Sequence, residues 1–195
     1  EKEYPDFNIV GEAWYPRGSA SAWWQKDSKM NESNSNLKTV MDFDLTFTCQ
    51  KAFGDVCSSN EGSEAGLFKI YEVIAQDFMF PDPNNVLIFL DNHDLGRFMQ
   101  KGESDLRRYK QAIAFLLTTR GIPQIYYGTE ILMSGTKAEG DGVIRSDFPG
   151  GWVGDPKDAF TPEGRTDLQN EAWNYMRKLL NWRQRCDAVK EGKLI

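Results

Sequence analysis

Between Leu87 and Phe98 the chain reads LIFLDNHDLGRF. An apolar run passes directly into Asp91, Asn92, His93 and Asp94, and His93 is the only histidine in the sequence. A further acid, Glu12, closes another apolar run, FNIV followed by Gly11. Two carboxyl groups at the ends of different apolar runs can perform glycoside hydrolysis. One acid protonates the leaving oxygen, while another carboxylate attacks the sugar or activates water. A nearby histidine can donate to a sugar hydroxyl. The same acids could instead bind Mg²⁺ or cap helix N-termini, and residue types alone leave these readings open.

Such acids work together only if the fold brings them together, so the elements around them matter. Four segments read as strands: Phe7 to Val10, Leu37 to Phe43, Val86 to Leu90, and Ile122 to Tyr127 between Gly121 and Gly128. Val86 to Leu90 is continuously apolar, as a strand covered on both faces must be. Helical spacing separates the strands. Leu67, Ile70, Tyr71 and Ile74 share one face, as do Leu106, Tyr109, Ile113, Leu116 and Leu117, with Ser104 placed as a cap. Thr166 to Gln169 reads as a capping box opening a helix with Trp173, Met176 and Leu180 in one stripe. Residues 14–36 and 129–162 read as long loops, the first with at most a short helix.

Strands alternating with helices imply an α/β fold with a parallel sheet, whose ligand groups gather at the carboxyl ends of the strands. Each strand does end in acids: Glu12, then Asp42 and Asp44, then Asp91 to Asp94, and Glu130 just past the fourth. The apolar strand is core, and its tip is the floor of a site.

Composition narrows the partners. A net charge of −6 argues against nucleic acid, whose phosphates need a basic face. No apolar stretch approaches the roughly 20 residues that span a bilayer, so no membrane partner is expected. Aromatic residues make up 13% of the chain, with six Trp, several in turn-rich segments. That placement suits stacking on sugars and suits ordinary packing equally. Cys49, Cys57 and Cys186 form no metal-binding pattern.

The motifs carry a resemblance. FLDNHD resembles the Asn-His-Asp signature at the seventh barrel strand of the α-amylase family of glycoside hydrolases. IVGEAW is similar to its fifth-strand motif, and GIPQIYYGTE resembles its eighth strand. The three occur in family order and at family spacing. NHDLGR with Arg97, and later GDGVIR, are similar to the cyclomaltodextrinase and neopullulanase branch. The resemblance implies the C-terminal half, strands five to eight, of a (β/α)₈ barrel over residues 1–187. Residues 188–195 would begin a linker to a C-terminal β domain.

By the same resemblance, Glu12 is the general acid/base and Asp94 the carboxylate that grips sugar hydroxyls in an oxocarbenium-like transition state. His93 bonds the same ring and Asn92 holds the turn. Trp14, Arg97, Asp141 and Arg145 bind substrate; for Trp14 packing is the alternative, and for the Asp141 and Arg145 pair a surface ion pair. Asp91 is expected to be supporting or solvated, and Asp42 and Asp44 structural. The substrate implied is an α-1,4-linked glucan such as a maltodextrin, cyclodextrin or pullulan.

The family nucleophile, an Asp on the fourth strand, has no counterpart here. It is expected in an N-terminal half of the barrel, from the same longer protein, that would be this segment's partner. The segment alone would be inactive. No cofactor is identified, and calcium is an option for the longer protein. The compartment is not fixed, with periplasmic or secreted favoured over cytoplasmic. Rival readings are a transglycosylase or isomerase of the same family, or a non-catalytic barrel relative serving as an interaction protein. A metal-dependent phosphotransferase would need a Gly-rich phosphate loop, which the sequence lacks.

Overall fold

The computed structural model describes residues 3–4, 7–54, 66–100, 102 and 105–192. In chain order the elements are β1 (Val10–Gly11), α1 (Gly18–Ala22), β2 (Thr39–Met41), α2 (Phe43–Ala52), α3 (Phe68–Ile74), β3 (Val86–Phe89), α4 (Leu106–Thr118), β4 (Ile122–Gln124), α5 (Asp141–Ile144), α6 (Asp167–Arg183) and α7 (Asp187–Glu191). The chain forms two compact units. One comprises residues 1–89, 119–124 and 188–195, and the other residues 90–118 and 125–187.

The first unit holds a four-stranded, all-parallel sheet in the order β1-β2-β3-β4. Val40 pairs with Val86, and Leu87 with Ile122. The two inner strands are the buried ones: Val40, Val86 and Ile88 are wholly enclosed. The outer strands are not. Ile9, Val10 and Ile122 keep large exposed areas. Gly121 is required at the entry to β4, because its φ is +96° and a Cβ there would stand 2.6 Å from the Val86 carbonyl oxygen. The sheet and α2 lock together through Thr46, whose hydroxyl donates to the Phe89 carbonyl at 2.8 Å, and through Phe43, edge-on to Phe89 at 5.1 Å.

The second unit is built on α4 and α6. Leu106, Tyr109, Ile113, Leu116 and Leu117 are all buried, which is the face their spacing predicts. Arg183 donates to the Leu117 carbonyl at 2.8 Å, satisfying one of the free carbonyls at the end of α4. The capping box forms: Gln169 N–H donates to Thr166 Oγ1 at 3.2 Å, and Thr166 N–H to Gln169 Oε1 at 2.9 Å.

Five sequence expectations need correction. The first strand is two residues long, and Phe7 lies outside it in the open. The second strand, expected over Leu37 to Phe43, runs only from Thr39 to Met41, and Phe43 begins α2. The fourth stops at Gln124, so Tyr126 and Tyr127 follow the strand instead of belonging to it. The helix expected over residues 67–78 runs only from Phe68 to Ile74. Of its apolar stripe Ile70 is buried while Leu67 and Tyr71 are exposed, because periodicity marks a face but not whether anything covers it. The loop over 129–162 contains the helical turn α5. The Ser104 cap, Cys57 and residues 193–195 lie outside the described residues.

Candidate active site

In the first unit, Glu12 directly follows β1 and is exposed. Two residues on, Trp14 stacks on Phe43 with ring centroids 4.5 Å apart and planes 22° apart. Trp14 remains 43% exposed, so one ring face is packed while solvent reaches the rest. The packing reading of Trp14 is met by Phe43, and the rest of the ring stays open to solvent. Asp42 and Asp44 are structural, as expected. Asp42 Oδ1 accepts from Leu45 N–H at 3.0 Å and caps α2, and Asp44 accepts from Gly18 N–H at 2.7 Å.

In the second unit the turn after β3 is held by its own side chains. Asn92 Oδ1 accepts from the N–H groups of Asp94 and Leu95, at 3.0 and 2.9 Å. Asp91 is buried and supporting rather than solvated. Its carboxylate accepts from Phe98 N–H at 2.8 Å and from the Thr129 hydroxyl at 3.2 Å. Burial pushes its pKa up to about 6, against the pull of those donors and of Arg97. Burial likewise raises Glu130, although donors at its own and the Gly128 backbone oppose the shift.

That turn presents His93 and Asp94 outward. His93 Nε2 lies 3.2 Å from Asp94 Oδ2, and Arg145 Nη2 lies 2.6 Å from Asp94 Oδ1. Arg145 also donates through Nε to the His93 carbonyl at 2.9 Å and stands 3.1 Å from Asp141 Oδ2. Asp141 pairs with Lys137 as well, which holds its carboxyl below the usual range. The structure thus gathers His93, Asp94, Asp141 and Arg145 into one exposed cluster. Two carboxylates bridged by one guanidinium, with an imidazole against Asp94, form a surface rich in acceptors for hydroxyl groups.

Arg97 is placed differently from the sequence expectation. It was expected to bind substrate, but it is turned inward and only 6% exposed. Its guanidinium lies 4.1 Å from the Tyr126 ring centre and 4.7 Å from that of Tyr127. Its Nε donates to the Ile144 carbonyl at 3.0 Å. The reason is local: backbone bonding of Arg97 N–H to Gly135 at 2.8 Å draws the residue under the loop that carries α5. Sequence reasoning missed the two tyrosines, which it counted into a strand. The boundary that reasoning used, Gly128 with its positive φ of 85°, lies beyond the strand's actual end at Gln124.

Among the described residues no group of three His, Cys, Asp or Glu side chains converges as a metal site. Also among them, no helix is long and apolar enough to cross a membrane.

A parallel α/β sheet with polar and acidic residues following its strands is the arrangement in which (β/α)₈ barrels build their sites. The family model "Alpha amylase, catalytic domain" matches residues 1–192, and the chain belongs to that family. A cyclomaltodextrin glucanotransferase of Thermoanaerobacterium thermosulfurigenes is 39% identical over 103 residues, 53% of this chain and 13% of that enzyme. An α-amylase from Geobacillus thermoleovorans, solved in complex with acarbose, superposes with a TM-score of 0.69 at 24% identity, covering 96% of this chain and 36% of that one. The cyclic α-maltosyl-(1→6)-maltose hydrolase from Arthrobacter globiformis gives 0.71 at 18% identity, covering 98% and 36%. These structural likenesses show the fold, that of the α-amylase barrels. The chain spans 13% of the curated relative and 36% of each of these two structures.

Proposed function

We propose that this chain is strands five to eight of a (β/α)₈ barrel in a longer, retaining α-glucan hydrolase that cleaves α-1,4-glucosidic bonds in maltodextrins, cyclodextrins or pullulan. Membership of the α-amylase family, with the Asn-His-Asp turn intact and its Asp94 carboxylate outward, carries this reading. Glu12 acts as the general acid and then the general base, while Asp94 and His93 grip hydroxyls of the sugar undergoing cleavage. Trp14 offers its open ring face to a glucose, and Asp141 and Arg145 extend the binding surface. The nucleophile is an aspartate outside this chain, and the partner half of the barrel completes the sheet. Four strands, a typical barrel of about 250 residues and coverage of about a third of each structural neighbour support that assignment.

The defining test is Glu12→Gln in the full-length protein. Turnover should fall by about three orders of magnitude or more while sugar binding persists, because the amide keeps the shape of the acid but cannot supply its proton. Unchanged turnover would remove Glu12 from its role. Transfer to a sugar acceptor instead of water is the second reading. It is favoured by the name of the cyclomaltodextrin glucanotransferase relative and uses the same groups.

A further inference from the structure

We infer that Arg145 is a positioning residue for Asp94, aimed by a support made of Arg97, Tyr126 and Tyr127. The inference rests on the glycosidase reading of Asp94 and deepens it.

Arg145 touches the Asn-His-Asp turn at two points, the His93 carbonyl through Nε at 2.9 Å and Asp94 Oδ1 through Nη2 at 2.6 Å. A planar guanidinium bonded at two points fixes the carboxylate relative to its own backbone, which a flexible ammonium cannot do. With His93 at 3.2 Å from Oδ2, each oxygen of Asp94 has one partner. An isolated exposed ion pair would contribute little, since ordering two long side chains offsets the attraction.

This pair is not isolated, because the backbone on each side of Arg145 is clamped by side chains. The Ile144 carbonyl accepts from Arg97 Nε at 3.0 Å and from the Tyr126 hydroxyl at 3.2 Å. The Ser146 carbonyl accepts from the Tyr127 hydroxyl at 2.8 Å. Arg97 is itself held against both rings, and its Nη1 donates to the Tyr127 carbonyl. Three donors therefore hold two carbonyls that flank a single residue. The arrangement removes the freedom that otherwise weakens a surface pair, and delivers Arg145 to Asp94 already oriented.

The test uses maltotriose turnover by the full-length protein, with kcat and KM measured separately. Arg145→Ala should lower kcat about 100-fold, the signature of a displaced catalytic group, and raise KM only about three-fold through the binding surface that Arg145 also extends. Arg145→Lys should recover part of the loss, because an ammonium can reach Asp94 but cannot also hold the His93 carbonyl. Tyr127→Phe keeps the ring against Arg97, loses the bond to Ser146, and should lower kcat about five-fold at constant KM. That milder variant keeps the test decisive if Arg145→Ala fails to fold. A rise in KM at unchanged kcat overturns the inference, as does Arg145→Lys no better than Arg145→Ala. Glu12→Gln, assayed alongside, separates the two levels. An active Glu12→Gln overturns the glycosidase reading, whereas an inactive one with only KM altered at Arg145 overturns the positioning role alone.

Discussion

Arg120 Nη2 lies 3.1 Å from Asp42 Oδ2, with both side chains almost completely withdrawn from water. The same guanidinium donates through Nε to Asp77 at 2.8 Å, so one cation serves two carboxylates within the unit that holds the sheet. Burial raises the Asp42 carboxyl above its ordinary range, and Arg120 is the largest force opposing that shift. Removing the cation leaves a buried carboxylate without its partner, which costs about 3–5 kcal/mol. Arg120→Met should destabilise the full-length protein by that order in urea denaturation. Adding Asp42→Asn should recover part of the loss, because an asparagine oxygen can still cap α2. Simple additivity of the two losses would contradict this account.

Asp91 gives the second prediction, through pH. Its carboxyl is pushed up to about 6 by burial, from an ordinary 3.8 in the unfolded chain. The folded state therefore binds more protons than the unfolded state between those values. The contribution of Asp91 to stability is greatest below about 4, falls as pH rises to about 6, and is constant above that. The gap corresponds to on the order of 3 kcal/mol. Asp91→Asn should abolish this dependence. The stability of wild type relative to the variant should then fall by that order between pH 4 and 6, as read by denaturation at each pH. A difference that does not vary with pH rules the account out.

Local features were legible in the sequence, and distant ones were not. The capping box at Thr166 and the buried face of α4 follow from spacing, because both depend on residues three or four apart. The structural reading of Asp42 and Asp44 agrees with their bonds to Leu45 and Gly18, although the helix that Asp42 caps was not foreseen. Arg120 could not be matched with Asp42 across 78 residues, nor Arg97 with Ile144 across 47, because a partner so distant exists only once the fold has formed. The α3 stripe failed for a related reason: Leu67 and Tyr71 have the right period, but among the described residues they remain exposed. In the candidate site, the cluster of His93, Asp94, Asp141 and Arg145 was named residue by residue. What spacing could not reveal was that Arg145 bonds Asp94 itself.

Product analysis separates hydrolysis from transfer. Both begin with the same glycosyl-enzyme, and they differ only in whether water or a sugar hydroxyl attacks it. With maltotriose at low concentration, the full-length protein should release glucose and maltose, resolved by chromatography over time. Oligosaccharides longer than maltotriose as the main early products would make the protein a transglycosylase instead.

The open edges of the sheet lead to the last prediction. Among the described residues nothing pairs the outer side of β1 or of β4, and Ile9, Val10 and Ile122 stand exposed there. Unpaired strand edges flanked by apolar side chains act as templates for another chain. In the proposed barrel those edges are taken by the strands of the other half. Residues 1–195 expressed alone should therefore elute in size-exclusion chromatography as oligomers or in the void volume. Co-expression with the preceding half of the same protein should shift the material to a discrete complex. Replacing Val10 with lysine should reduce the association of the isolated chain, because a charge on an edge strand disfavours pairing with a second copy. A clean, soluble monomer of the isolated chain would mean that these edges need no cover, and the half-barrel assignment would lose its main physical support.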